Sequence, residues 1–477
     1  MPVSPNYKPD PRFQSLGPDF ADIVLPAEFP SLRLRFRNQR AAETVGLETL
    51  TDAEWLDHFG RFATLPGDQR QPLATRYHGH QFRTYNPDLG DGRGFLFGQA
   101  REIGSGRLLD FGTKGSGQTP WSRGADGRLT LKGGVREVLA TAMLEALGVP
   151  TSKSFSLVET GEALQRNDEP SPTRGAVLTR LSHSHIRFGT FQRLATLERP
   201  DLISVLIDYV VETYYPRLAA ADSRAAALLE AVIARSAVLT ARWMAAGFVH
   251  GVLNTDNMNI NGESFDYGPY RFLPRNDPNF VAAYFDHSGL YSFGRQPEAV
   301  FWNLRQLASA FSLVSDADPL VDALNTFGDA YQTALAGALV ARLGLRPGSA
   351  GADIALANSA LRALAEGGEA LRWEPFFFDW FCGLASEHRA ITGPRAELYE
   401  GEAFRAFTNI LASREPERAD RLNAAYFQGS GPEELVYDQI ESIWAAIAER
   451  DDWSAFHAKL SAIDTARVAW GFNPDGG

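Results

Sequence analysis

The chain has 477 residues, 44% hydrophobic and 22% charged, with 9 Trp and 31 Phe, a composition that excludes extended disorder and supplies apolar material for about two to four domains or lobes. Its formal net charge of −12 opposes general attraction to nucleic acid or anionic membrane, so any polyanion must meet a local basic site. No stretch approaches the roughly 18 apolar residues of a membrane span, and residues 1–13 lack an apolar signal core and an Arg-rich amphipathic pattern, so a cytoplasmic monomer without nucleic-acid or membrane partners is expected.

The first hundred residues are rich in Pro, Gly and aromatics and read as loops around short strands. A strand is expected over 107–114, ending in a glycine loop, and a helix over 135–147, stopped by Gly148 before Pro150. Strands over 155–159 and 176–179 follow, separated by a polar turn at 167–174. From Leu202 the pattern becomes helical, with helices over 202–215, 223–246, 297–314, 319–343, 352–365 and 432–450. Between the second and third of these lies a stretch rich in Gly and Asn, 250–270, with no room for regular structure. The single cysteine, Cys382, lies among aromatics in 376–382, which excludes an intrachain disulfide and a cysteine-rich zinc site and predicts a buried structural thiol.

The strongest chemical signal is His250-Gly251-Val252-Leu253-Asn254-Thr255-Asp256-Asn257, followed by Asp266-Tyr267-Gly268. Phosphoryl-type transfer needs hard oxygen ligands for Mg²⁺ and a carboxylate near the attacking hydroxyl. Asn257 and Asp266 suit the metal and Asp256 suits the base; the alternative is that these side chains simply cap turns. The order resembles the catalytic loop and Asp-aromatic-Gly segment of the protein-kinase superfamily, except that Val252 stands where His-Gly-Asp phosphotransferases carry their catalytic Asp.

The second signal is Gly112-Thr113-Lys114-Gly115-Ser116-Gly117, where backbone N–H groups and Lys114 could approach phosphate. It matches neither the Walker nor the dinucleotide pattern, and alone it could be a turn. Glu137, on the next helix, is the natural partner of Lys114, unless it is a surface charge. Arg180 and Arg187 offer planar guanidiniums for phosphate, and either could also be a surface charge. His183 and His185 between them lack a third zinc ligand nearby. Gly90-Asp91-Gly92-Arg93-Gly94 reads as a turn or as a phosphate contact.

Together with Tyr77-His78-Gly79-His80-Gln81-Phe82, these segments stand in one order and at compatible spacing, and the chain resembles the selenoprotein O family of kinase-fold protein adenylyltransferases over most of its length. The resemblance implies an α+β, two-lobed, protein-kinase-like fold with a small β-rich N-terminal lobe and a larger, mainly helical C-terminal lobe. Residues 1–100 would form an extension and the start of the nucleotide lobe, 101–195 its core, and 196–477 the helical lobe. It implies that Gly90, Gly92, Arg93, Lys114, Asp126, Gly127, Arg180, Arg187 and Asp266 contact ATP, that Asp256 is the proton acceptor, and that Asn257 and Asp266 hold Mg²⁺ or Mn²⁺. The nucleotide would lie flipped relative to kinases, so that AMP passes to Ser, Thr or Tyr hydroxyls of protein substrates and pyrophosphate leaves. A protein or small-molecule kinase and a nucleotide-binding pseudokinase are the alternatives. Members carrying selenocysteine or cysteine near the C-terminus use it for redox chemistry; residues 468–477 here contain neither.

Overall fold

The computed structural model describes residues 3–167 and 169–472; Asp168 of the expected 167–174 turn and residues 473–477 of the C-terminal segment lie outside them. The protein is α+β, with a sheet-rich N-terminal region and a helical C-terminal region. The strands are β1 (Ala21–Ile23), β2 (Arg33–Arg37), β3 (Leu73–Thr75), β4 (Gly79–Gln81), β5 (Thr84–Asn86), β6 (Leu96–Arg101), β7 (Leu108–Lys114), β8 (Leu129–Thr130), β9 (Lys153–Leu164) and β10 (Thr173–Ser182). One antiparallel sheet runs in the order β1-β3-β6-β7-β10-β9-β2, with β8 added beside β10, and β4 and β5 form a separate hairpin.

Two helices correct the expectation of loops and strands for the first hundred residues: α1 (Gln39–Val45) and α2 (Asp52–Phe59). Helix α2 starts in a capping box, in which Thr51 and Glu54 satisfy each other's backbone N–H. It packs Trp55 and Phe59 against Phe111 and Phe155 on one sheet face. The opposite face receives α3 (Leu131–Ala146), whose Val135 and Val138 join Leu157 and Leu178 in the core. Helix α3 begins four residues earlier than the sequence pattern suggests, at the Thr130 cap, and its first turn contains two glycines. Gly134 is there for space: a Cβ would lie 2.4 Å from Leu157 Cδ1. Adjacent strands are also longer than expected, because pairing with each other extends β9 and β10 beyond their most apolar centres.

The helices of the C-terminal region are α4 (Phe188–Thr196), α5 (Pro200–Tyr214), α6 (Arg224–Ala245), α7 (Gln296–Phe311), α8 (Ala317–Asn325), α9 (Phe327–Arg342), α10 (Ala350–Glu366), α11 (Trp373–Asp379), α12 (Glu387–Thr392), α13 (Glu402–Leu411), α14 (Tyr437–Arg450) and α15 (Ser454–Trp470). The helix expected over 319–343 is two, broken at Thr326, whose hydroxyl turns back onto the Ala323 carbonyl at 2.8 Å. The one expected over 432–450 starts only at Tyr437, since Lys459 draws Glu433 and the Glu434 carbonyl into tertiary contacts. Aromatic side chains of α11, α13 and α15 build a second core around Phe376, Phe381, Phe407 and Trp470. Cys382 is buried there, as expected, with its thiol pushed up to about 11 by burial. Strands β11 (Phe248–Val249) and β12 (Arg271–Phe272) pair with each other and so clamp both ends of the 250–270 loop, which contains one short 3₁₀ turn, Thr255–Asn257. Among the described residues, no helix is long and apolar enough to cross a membrane.

Candidate active site

Lys114 ends β7, and Arg180 lies on β10 beside Gly112, so the sheet places both on the face covered by α3. Glu137 projects from α3 with no exposure at all. Lys114 Nζ lies 2.6 Å from Glu137 Oε2 and 2.8 Å from Asp266 Oδ1, which rules out the surface-charge reading of Glu137. Arg180 Nη1 stands 3.7 Å from Glu137 Oε1 and 3.5 Å from Asp266 Oδ1. Arg187 caps the start of α4; its Nη1 donates to the Asp256 carbonyl at 2.7 Å and to Asp266 Oδ2 at 3.3 Å. Its guanidinium lies over the rings of Tyr77 and Phe265, at 4.5 and 4.8 Å. Three buried cations thus converge on one carboxylate.

Asp266 adopts a left-handed backbone, φ 64°, which Asp tolerates better than most residues. Burial alone would raise its pKa, but Lys114, then Arg180, Arg187 and Arg93, hold it well below the usual carboxylate range. Asp256 behaves oppositely. Burial pushes its pKa up to about 6 against the pull of Arg187, and its Oδ1 has no hydrogen-bond partner. Two carboxylates of one loop system are therefore driven apart in acidity, the arrangement that separates an anionic ligand from a proton acceptor. Arg180 Nε and Nη1 and Arg187 Nε are buried donors that also lack hydrogen-bond partners. Unpaired guanidinium N–H groups at a buried site are costly unless an anion fills them.

These groups open into a cleft of about 750 Å³. Gly90, Gly92, Arg93, Lys114, Asp126, Gly127, Arg180, Arg187, Asp256 and Asp266 all line it. Of the sequence-chosen residues, Glu137 and Asn257 do not: Glu137 stands behind Lys114, and Asn257 sits on the 3₁₀ turn with its amide nitrogen bonded to the Val252 carbonyl at 2.9 Å. Seven lining side chains are Lys or Arg and four are Asp, the local basic site that a chain of net charge −12 requires. His183 and His185 brace the wall behind, through Glu263 Oε1 at 2.7 Å and Asp110 Oδ2 at 3.2 Å.

Sequence reasoning gave no role to several groups in the cleft. The 77–82 segment, noted only as part of a family pattern, packs against the turn that holds Asp256. Gly79 packs so closely that a Cβ would lie 3.0 Å from Thr255 Oγ1 and 3.2 Å from Asp256 Cβ. The His80 N–H donates to Thr255 Oγ1 at 2.7 Å, and the Phe82 N–H to Asn254 Oδ1 at 3.1 Å. Tyr77 and Gln81 line the cleft itself. Asp91, inside the glycine turn, accepts from the Thr75 N–H and hydroxyl at 3.0 and 2.7 Å, and its other oxygen lies 3.6 Å from Arg187. Arg166, near the end of the β9–β10 hairpin, reaches over to Asp126 with bonds of 2.7 and 3.1 Å. The glycine spacing around Asp91 was the available signal for that residue; nothing local distinguishes Arg166 from a solvated arginine.

A sheet that delivers Lys114 and Arg180 to a helix glutamate, and a loop that sets one acidic and one basic carboxylate beside them, define an enzyme of nucleotidyl transfer when set beside known proteins. Residues 4–464 match the family described as Protein adenylyltransferase SelO, and the chain belongs to that family. It is similar to proteins named protein nucleotidyltransferase YdiU. With that of Gloeobacter violaceus it is 47% identical over 466 residues, covering 95% of this chain and 94% of the relative. With that of Synechocystis sp. it is 44% identical over 481 residues, covering 96% and 98%, and with that of Chromohalobacter salexigens 42% identical over 367 residues, covering 75% and 72%. The protein is a nucleotidyltransferase.

Proposed function

We infer that the cleft binds ATP with a divalent metal and transfers AMP to a Ser, Thr or Tyr hydroxyl of a protein substrate, releasing pyrophosphate. The observation that carries this reading is the set of buried guanidinium donors of Arg180 and Arg187 that lack hydrogen bonds, lining one cleft with Lys114 and with Asp256, whose Oδ1 is also without a partner. The arginines and Lys114 take the outer phosphates, which neutralises the leaving pyrophosphate and presents the α-phosphorus to the acceptor. Asp256 accepts the hydroxyl proton as the oxygen bonds to the α-phosphorus and the α–β anhydride bond breaks. A pKa near 6 leaves it ionised at neutral pH while basic enough to take a proton.

Asn257 and Asp266 fit a hard cation. Asp266 is held ionised by its cationic neighbours, and the Asn257 amide, bonded through its nitrogen, turns its oxygen away from Val252. Mg²⁺ or Mn²⁺ usually keeps only one or two protein ligands at such sites and completes its shell with phosphate oxygens and water. Bound there, it would supply charge neutralisation along the triphosphate. We read the molecule as two-lobed and kinase-like, with residues 1–100 leading into a nucleotide lobe whose core is 101–195, and 196–477 as the helical lobe; a cytoplasmic monomer that meets ATP and protein, not nucleic acid or membrane, agrees with the charge. Incubation with ATP labelled separately at the α- and γ-phosphate tests the reaction: α-label retained on protein supports it, and γ-label retained would assign the site to phosphoryl transfer.

A further inference from the structure

A second cavity, of about 570 Å³, opens away from the nucleotide cleft and shares none of its lining residues. Its walls include five arginines, Arg12, Arg101, Arg107, Arg235 and Arg242, against the carboxylates of Glu212 and Glu263. Glu263 is already committed, since its Oε1 meets His183 Nδ1 at 2.7 Å and its Oε2 accepts the His183 N–H at 2.9 Å. Arg101 and Arg107 are anchored on Asp10 and Glu102, and Arg235 lies over the Tyr215 ring at 4.3 Å, so these guanidiniums are held in position on the cavity wall. Anchored guanidiniums lose less freedom on gripping an anion. Two further groups on the wall hold polar atoms without a partner: Asn261, only 8% exposed, through Oδ1, and His183 through Nε2. Leu108, Pro150 and Val238 give the same wall an apolar portion.

The position is as telling as the composition. Asn261 and Glu263 belong to the stretch between Asn257 and Asp266, and His183 lies between Arg180 and Arg187. The segments that present the catalytic groups to the cleft therefore turn their backs to this cavity, and the His183–Glu263 contact ties the two together.

We propose that this cavity is a binding site for a small phosphate monoester, its phosphate gripped by the arginines and a hydroxyl of its organic part donating to Asn261 Oδ1, and that its occupancy is coupled to nucleotide binding through the 257–266 loop. The phosphate meets the guanidinium N–H groups that Asp10 and Glu102 leave over, and the organic part meets the apolar wall. The site stands on its own geometry; only the coupling rests on the nucleotidyl-transfer reading. A phosphate monoester is favoured over a peptide carboxylate by five guanidiniums lining one cavity, which suit a compact, multiply charged head group.

The test uses the full chain with ribose 5-phosphate as the probe, followed by calorimetry. The expected result is saturable binding that persists in Asp266→Ala, where the cleft is disabled, and weakens at least about tenfold in Arg235→Glu. Val238→Trp, which fills the cavity without altering charge, should weaken it likewise, while both wall variants still bind ATP. Inorganic phosphate alone should bind more weakly than the ester. ATP affinity measured with and without ribose 5-phosphate should differ by about fivefold or more, the lower end of typical site-to-site coupling. Absence of saturable binding up to about 10 mM, or binding lost in Asp266→Ala and kept in both wall variants, would overturn the site. Equal ATP affinities at saturating ester would overturn the coupling, and loss of α-label transfer in wild-type protein would instead count against the reaction and leave the site standing.

Discussion

Replacing Glu137 by Gln removes one carboxylate charge from a place with no solvent access, where it faces Lys114 at 2.6 Å and Arg180 at 3.7 Å. Breaking a buried ion pair by removing one partner costs about 3 to 5 kcal/mol. Asp266, 2.8 Å from Lys114, retains part of the attraction, so about 3 kcal/mol is expected for Glu137→Gln. Lys114→Met leaves Glu137 facing only the more distant Arg180, and a similar loss follows. The double variant leaves no unmatched charge between these two positions, so it should be less destabilised than the sum of the singles, by about 1 to 3 kcal/mol of coupling. Urea unfolding of the four proteins reads the cycle, and ATP calorimetry on the same samples shows whether binding follows stability. Strictly additive losses would refute the claim that Glu137 acts by holding Lys114.

Three further outcomes follow from the geometry. Turnover should rise with pH through about 6 and level off above, because Asp256 must be deprotonated to accept a proton and burial has raised its pKa; Asp256→Asn should lower turnover by about 10² to 10⁴ and remove that rise, and an unchanged pH profile in the variant would exclude Asp256 as the base. Asp266→Ala should abolish metal-dependent ATP binding together with turnover, whereas Asp256→Asn keeps most of the affinity, as calorimetry with and without Mg²⁺ would show. Gly79→Ala should lower kcat with little change in KM for ATP, since its Cβ would press on Thr255 and Asp256 and not on the nucleotide; equal effects on both parameters would contradict a positioning role.

The chemistry was legible where residue type alone narrows the options. Asp256 and Asp266 stand in a loop too rich in Gly and Asn for regular structure, and Lys114 ends an apolar strand, so all three could be placed on their elements before any contact was known. Pairing Lys114 with Glu137 needed the family resemblance as well, because a glutamate on an amphipathic helix is ordinarily solvated. Tertiary geometry decided the rest. Arg166 reaches Asp126 only because the β9–β10 hairpin extends over the glycine segment, and Gly79 matters because the β4–β5 hairpin lies against Thr255. In the fold, the capping box at Thr51 and Glu54 stands in the sequence, but the Pro- and Gly-rich surroundings read as loops and strands, and α2 was missed. The break at Thr326 was missed too, since neither Gly nor Pro marks it. The glycines of α3 disguised its first turn for a reason that only packing on Leu157 reveals.

The central claim, that AMP and not phosphate is the group transferred, is tested most directly by intact-mass spectrometry of protein incubated with ATP and Mg²⁺ or Mn²⁺, with Asp256→Asn as the control. The account predicts a mass gain of one AMP on self-modified or substrate protein, absent from the control. A gain of one phosphate with none of one AMP would contradict it.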